Sequence, residues 1–416
     1  MRPRPARCLA AGLACATVGS LALTGAASAP AAPGSASAPG QAAQSTAGEP
    51  GPFNAITDVP GIEVGQVQKT RPPYLTGSTV VRTPTMPVAG VDQSGGNPAT
   101  WMTNALSPLN ANPGVDAIVL TGGSIWGMDV GIGAMHWVED HGVEGPIVPG
   151  AGIFDIGRGG DERARPTASW GYRATAKARG GPVRQGTAGG GTGATSGGLA
   201  SPVLKGGVGT ASVELGDGLV VGALVVVNSL GSTVNPKDCT LLGTAFGIGG
   251  EFAGLRKPSR AECSRTTGGA AKGSKYQATN KTENRAKTKP ARQKGKNTTI
   301  AVVATNTSME NAAITKVAGV ANDGLARAII PSHTLYDGDT VFAAATGKGR
   351  KLANNDPNDV ATLTRIQDAA ANSLSRAVAH AMLSATSARE FKSYCDTYPS
   401  ACENLRRNGT GKKRAG

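Results

Sequence analysis

The segment Leu219-Val-Val-Gly-Ala-Leu-Val-Val-Val-Asn228 restricts the fold of this chain more than any other. It carries no polar side chain before Asn228, so the alternation of a strand with one wet face is missing. A strand that is apolar on both faces belongs to a sheet whose two faces are both covered. Further short strands are expected within residues 56–65, 117–121, 146–149, 152–155, 298–306 and 339–345. Helices are expected over 124–141, 169–177, 310–329 and 362–384. In the first of these helices Ile125, Met128, Ile132, Met135, Trp137 and Val138 recur at threes and fours, with Ser124 as N-cap and Gly142 as stop. Aromatic residues make up only 4% of the chain and there are 60 glycines, so the core must be closely packed layers of Val, Ile, Leu and Ala. Short buried strands with paired helices predict sheets packed face to face and helices outside them.

Residues 1–29 have the pattern of an export signal. Arg2, Arg4 and Arg7 precede an apolar stretch of small residues, and Ala27-Ser28-Ala29 gives a small-x-small cleavage site. The stretch is too short and too rich in Ala and Gly for a membrane span, and Gly12, three places before Cys15, argues against a lipoprotein. A secreted protein with no membrane attachment after signal removal is expected. Residues 30–52 form an Ala/Pro/Ser/Gly-rich leader expected to be disordered. The folded domain is then built from 53–256 and 298–390. Between them lies a basic flexible linker, 257–297, and a C-terminal tail follows at 391–416.

The net charge of +14 suggests nucleic acid until it is located. Thirteen Lys and Arg lie between Arg256 and Lys296, three in the signal and five after Leu405. The remaining body has 21 basic against 26 acidic side chains, and the basic runs lack the interleaved aromatics that stack on bases. Nucleic-acid binding is therefore not expected. Two of the six cysteines fall in the signal, leaving Cys239, Cys263, Cys395 and Cys402 in an exported chain. Of the three connectivities open to them, the local pairs Cys239–Cys263 and Cys395–Cys402 are expected. The four histidines lack metal-site spacing, so no metal is expected.

Chemistry concentrates where the basic linker ends. Lys296-Asn297 runs directly into Thr298 at the start of a buried strand. A hydroxyl so placed can attack its own preceding carbonyl, and the amine set free has an ordinary pKa of about 7.7–8.0, suited to act as its base. A loop running into a strand, or a glycosylation sequon, accounts for the same residues. Asp337-Gly338-Asp339 can turn two carboxylates toward one site, although such a sequence is also ordinary turn chemistry. Asn228 ends the apolar strand with an amide that can stabilise an oxyanion or cap a turn. Lys205 and Tyr172 are ambiguous singly. The loop Thr187-Ala-Gly-Gly-Gly-Thr-Gly-Ala-Thr195 lacks a Gly-Lys-Ser/Thr ending; its Gly189, Gly190, Gly191 and Gly193 are read as permitting close backbone approach along a substrate cleft.

Taken in order, seven segments resemble the L-aminopeptidase/D-esterase family, which includes β-peptidyl aminopeptidases and nylon-oligomer hydrolases. They are Ile56-Thr-Asp-Val-Pro-Gly-Ile, Leu120-Thr-Gly-Gly-Ser-Ile-Trp-Gly-Met-Asp129, Pro146-Ile-Val-Pro-Gly-Ala-Gly-Ile-Phe-Asp155, the Thr187–Thr195 loop, Lys205-Gly-Gly-Val-Gly-Thr-Ala-Ser212, Asn297-Thr-Thr-Ile-Ala-Val-Val-Ala-Thr305 and Asp337-Gly-Asp-Thr-Val-Phe-Ala343. The resemblance implies a four-layer αββα sandwich made of two chains cut from one precursor at Asn297–Thr298. It implies Thr298 as nucleophile, Asn228 as oxyanion donor, Tyr172 and Lys205 as active-site partners, and Asp337 and Asp339 as accompanying carboxylates. It also implies no cofactor, small peptide or amino-acid-oligomer substrates, and homo-oligomers of αβ units. Thr with Asp-Gly-Asp is closer to the nylon-oligomer hydrolase branch. Two alternatives stand beside this reading. One is an acyltransferase like the ornithine acetyltransferases, against which export argues. The other is a non-catalytic secreted binding protein on the same scaffold.

Overall fold

The computed structural model describes residues 48–111, 114–199, 202–267, 297–353 and 355–411, all within one unit, Thr46–Gly416. The expected signal, most of the leader and residues 268–296 of the linker lie outside the described residues. In chain order the elements are β1 (Glu63–Lys69), β2 (Thr76–Arg82), β3 (Val88–Asp92), β4 (Thr100–Trp101), β5 (Ala117–Thr121), α1 (Met128–Asp140), β6 (Gly150–Gly152) and α2 (Ala168–Ala176). Then come β7 (Thr195–Ser196), β8 (Leu204–Lys205), β9 (Gly207–Glu214), β10 (Val220–Val227), α3 (Arg260–Thr267), β11 (Ile300–Thr305), α4 (Asn311–Ala328), β12 (Thr340–Ala345), α5 (Pro357–Ser384), α6 (Tyr394–Thr397) and α7 (Pro399–Gly411).

The strands form two mixed five-stranded sheets, ordered β1-β2-β5-β6-β4 and β3-β12-β11-β10-β9, plus the small pair β7-β8. The expectation drawn from the apolar strand is met in β10. Val221, Ala223, Val225 and Val227 face a core shared with α4 and α5, while Leu224 and Val226 face the first sheet. The first sheet divides its residues likewise. Ile118 and Leu120 of β5 point into the space between the sheets, and Ala117 and Val119 point toward α1 and α2. The result is four layers, helix–sheet–sheet–helix. Each Val or Leu so enclosed contributes about 1.5–3 kcal/mol by leaving water.

Helix α5 starts five residues earlier than expected. Asp356 caps it by accepting from the Asn358 amide at 2.8 Å, and Pro357 occupies the first turn, where its missing N–H costs nothing. Helix α1 departs more. Ser124 has φ +53° and opens a short 3-10 turn, Ser124–Gly127, instead of capping the helix. The buried face is Val130, Gly131, Gly133, Ala134 and Val138, while Ile125 and Ile132 are exposed. Residues 48–52 of the expected leader are among those described, and there the Glu49 carbonyl accepts from the Glu214 amide at 2.8 Å. Linker residues 260–267 are helical in α3, and the described part of the expected tail is folded: Tyr394 and Tyr398 lie in the core beneath the second sheet. The disulfides are Cys239–Cys263 and Cys395–Cys402, as expected.

One end of the second sheet gathers the chemistry. Asn228 directly follows β10, residues 297–299 lead into β11, and Asp337-Gly338-Asp339 leads into β12. Ladder bonds extend past the strand ends: the Thr298 amide donates to the Asn228 carbonyl at 2.7 Å, and the Thr340 amide to the Thr299 carbonyl at 3.0 Å. Segments far apart in sequence thus emerge side by side.

Candidate active site

Thr298 is almost fully buried, 4% exposed, with Asn297 beside it at 8%. Its hydroxyl donates to the Asn297 carbonyl oxygen, the carbonyl of the peptide bond it would have to attack. The opposite wall is Gly338. A Cβ there would lie 2.9 Å from the Thr298 hydroxyl and 2.7 Å from the Asn97 carbonyl, so the middle residue of the Asp-Gly-Asp turn is small because the hydroxyl occupies that space. The segment from Gly95 to Asn97 covers the turn: the Gly95 amide donates to the Asp339 carbonyl at 3.1 Å and the Asn97 amide to the Asp337 carbonyl at 2.8 Å.

Both carboxylates are buried and bonded to the surrounding backbone. Asp339 accepts from the Thr299 amide at 2.7 Å through Oδ1. Its Oδ2 accepts from the His333 amide at 3.0 Å and pairs with His333 Nδ1 at 2.9 Å. Asp337 accepts from the Leu230 amide at 3.1 Å and from the Thr334 hydroxyl at 2.6 Å. Asp339 therefore grips the residue after the candidate nucleophile, and Asp337 the turn after Asn228. Burial, and then the charge of Asp339, raise the Asp337 carboxyl above its usual range. Burial alone would lower the His333 imidazole, but the hydrogen bond and charge of Asp339 outweigh it, and the net shift is upward.

Asn228 is fully buried, and its Oδ1 accepts from Arg158 Nη1 at 2.6 Å and from the Thr195 amide at 3.1 Å. Thr195 pairs across the β7–β8 ladder with Lys205. The Lys205 ammonium is fully buried and donates to the Gly191 and Gly206 carbonyls, both at 2.9 Å. Burial, then the charge of Arg158, bring Lys205 down to about 7, with Asp155 opposing. Arg158 is itself lowered by burial to about 10, opposed by Asp155 and Glu390, and also donates to the Gly193 carbonyl at 2.5 Å. Asp155 is buried, and burial raises its carboxyl.

Two sequence expectations need correction. Tyr172 is not brought to this group. It sits on α2, 36% exposed, and its hydroxyl engages Asp140 at the end of α1, on the outer face of the first sheet. The glycine loop does not line an open cleft. Gly189, Gly190, Gly191 and Gly193 are buried; a Cβ on Gly190 would lie 2.6 Å from the Leu120 carbonyl of the first sheet, and one on Gly191 2.3 Å from the Val208 amide of the second. The loop is a wedge between the sheets whose carbonyls hold Lys205 and Arg158. Conversely, Arg158 and His333 join the group without having been singled out. The charged Arg158 between Gly157 and Gly159 was the available signal for the first, and the short spacing to Asp339 for the second.

Residues 54–395 match the sequence pattern of peptidase family S58. The chain belongs to peptidase family S58. A relative, an uncharacterized aminopeptidase of Mycobacterium leprae (strain TN), is 40% identical over 375 residues, 84% of this chain and 96% of that protein. The 6-aminohexanoate-oligomer endohydrolase of Kocuria sp. (strain KY2) is 28% identical over 304 residues, 70% of this chain and 74% of that one. Among solved structures, the L-aminopeptidase D-Ala-esterase/amidase of Ochrobactrum anthropi superposes with a TM-score of 0.60 at 22% identity, over 87% of this chain and 96% of that chain. That structure is described as a variant of the Ntn hydrolase fold, and the four layers of this S58 chain are the same fold.

Proposed function

We propose that this S58 chain is exported, cuts its own Asn297–Thr298 bond, and then works as an aminopeptidase-type hydrolase with Thr298 as N-terminal nucleophile. The observation that carries the reading is the Thr298 hydroxyl seated between its own Asn297 carbonyl and Gly338. In self-cleavage the Thr298 Oγ adds to the Asn297 carbonyl carbon. The C–N bond then breaks as the nitrogen takes the hydroxyl proton, leaving an ester between Asn297 and Thr298. Water adds to that ester and releases the Asn297 carboxylate and a free Thr298 amine and hydroxyl.

The same parts then serve a substrate. The Thr298 amine has an ordinary α-amino pKa of about 7.7–8.0, low enough that a free-base fraction near neutrality can take the proton from its own hydroxyl. Its nitrogen already has a partner in the Asn228 carbonyl at 2.7 Å. The Asn228 NH2 supplies an oxyanion donor, and such a donor is worth roughly 10²–10³ in rate. Lys205 adds a buried amine, partly neutral at pH 7, on a backbone position that pairs with Thr195, whose own amide is bonded to Asn228. Asp337 and Asp339 keep Leu230 and Thr299 in register, so the nucleophile is held from both sides. The bond cleaved is an amide or ester of a small peptide or amino-acid oligomer, a class supported by the names of the Mycobacterium and Kocuria relatives.

Denaturing electrophoresis followed by N-terminal sequencing tests this directly. A fragment beginning Thr-Thr-Ile-Ala, absent from Thr298→Ala, is expected, and its recovery from culture medium tests export. An uncut chain under all conditions overturns the reading.

A further inference from the structure

Arg158 is a charged group that the proposed steps leave unused, yet it touches the oxyanion donor. Asn228 can present either end of its amide with little change in shape, because O and NH2 are nearly the same size. Only one orientation is useful, with NH2 toward the carbonyl under attack. Two donors settle the choice, Arg158 Nη1 at 2.6 Å and the Thr195 amide at 3.1 Å, both on Oδ1. A charge-assisted bond is roughly twice as strong as a neutral one, so Arg158 carries the larger part of that preference. It is itself held in place: Nη1 also donates to the Gly193 carbonyl at 2.5 Å, and the Phe391 ring lies 5.9 Å from the guanidinium.

We propose that Arg158 is a positioning residue which fixes the Asn228 amide with its NH2 toward the scissile carbonyl and polarises that NH2 for the oxyanion. The proposal rests on Asn228 being the oxyanion donor. Arg158 suits the role because it stays charged: burial lowers it only to about 10, with Asp155 and Glu390 opposing. The same charge helps keep Lys205 near 7, where Arg158 and Asp155 are the charged groups acting on it. The glycines on either side, Gly157 and Gly159, let the chain fold tightly enough for the side chain to turn inward. A Cβ on Gly159 would lie 2.3 Å from the Tyr74 carbonyl carbon.

Self-cleavage of the full chain is the test, because it needs no added substrate. Pulse-labelled precursor is chased over minutes to days for the wild type, Asn228→Ala, Arg158→Met, Arg158→Lys and the double variant Asn228→Ala/Arg158→Met, with thermal melts verifying that each is folded. Asn228→Ala is expected to slow cleavage roughly 10²–10³-fold. Arg158→Met is expected to slow it at least about tenfold, and Arg158→Lys to recover part of the loss. In the double variant, Arg158→Met adds no more than about threefold to the effect of Asn228→Ala, because the residue acts through that amide. If Arg158→Met does not fold, Arg158→Lys carries the same cycle. An Arg158 variant cleaving at the wild-type rate, or slowing both backgrounds by the same factor, overturns the proposal. Asn228→Ala cleaving at the wild-type rate removes instead the oxyanion-donor reading beneath it.

Discussion

His333 reaches one oxygen of Asp339 twice, from its backbone amide at 3.0 Å and from Nδ1 at 2.9 Å, and the other oxygen of Asp339 holds the Thr299 amide. A histidine whose folded-state pKa is raised above 6.5 adds stability that is fully present below that value and is lost as pH rises through the raised one. His333→Gln should therefore cost more at pH 5.5 than at pH 9, by about 1 kcal/mol for one charge-assisted bond. Thermal melts at the two pH values read the difference, and an equal loss at both excludes an ionic His333–Asp339 bond. At this scale the chain declared its chemistry unevenly. Thr298, Asn228, Asp337 and Asp339 stand at strand ends within recognisable segments, and the strand order brings them together at one end of the second sheet. Arg158 reaches Asn228 across 70 positions from a glycine-flanked loop, and no periodicity encodes such a contact. Tyr172 was assigned by resemblance alone, and its surroundings are those of a helix surface.

Helix packing explains which face α1 buries. Large apolar residues at helical spacing ordinarily mark the buried stripe, but here the stripe in contact is the one with glycine. A Cβ on Gly171 would lie 1.9 Å from the Val130 carbonyl oxygen, and one on Gly133 would lie 1.7 Å from that of Ala168. Helices α1 and α2 therefore meet backbone to backbone, and that approach excludes Ile125 and Ile132 from the contact. Gly171→Ala must push two helices apart over the first sheet, at a cost of roughly 1–3 kcal/mol or more. Urea denaturation should show the midpoint falling for Gly171→Ala. An unchanged midpoint would mean that the two helices are not packed this closely. Elements buried on every side, such as β10, β11 and β12, were legible because their composition leaves no alternative face to choose.

The second sheet is the place where two chains would have to remain one molecule. After a cut at Asn297–Thr298, its order β3-β12-β11-β10-β9 alternates in origin: β11 and β12 belong to the new chain, flanked by β3 on one side and β10 and β9 on the other, all from the first chain. Six residue pairs join β10 to β11, and five join β12 to β3. The first chain also meets the second at α3, which is tied to Cys239 by the first disulfide and whose Glu262 accepts from the Ser400 amide at 3.1 Å. Tyr398 adds a bond from its hydroxyl to Thr266 at 3.0 Å. Yet neither disulfide crosses the cut, because Cys239–Cys263 lies wholly before it and Cys395–Cys402 wholly after it. The cleaved protein should accordingly elute as one species under native conditions and resolve into two chains on a denaturing gel run without reductant. Bands that separate only after reduction would mean a bridge between the chains and would overturn both pairings. Separation under native conditions would instead show that the interleaved sheet is not what holds the molecule together.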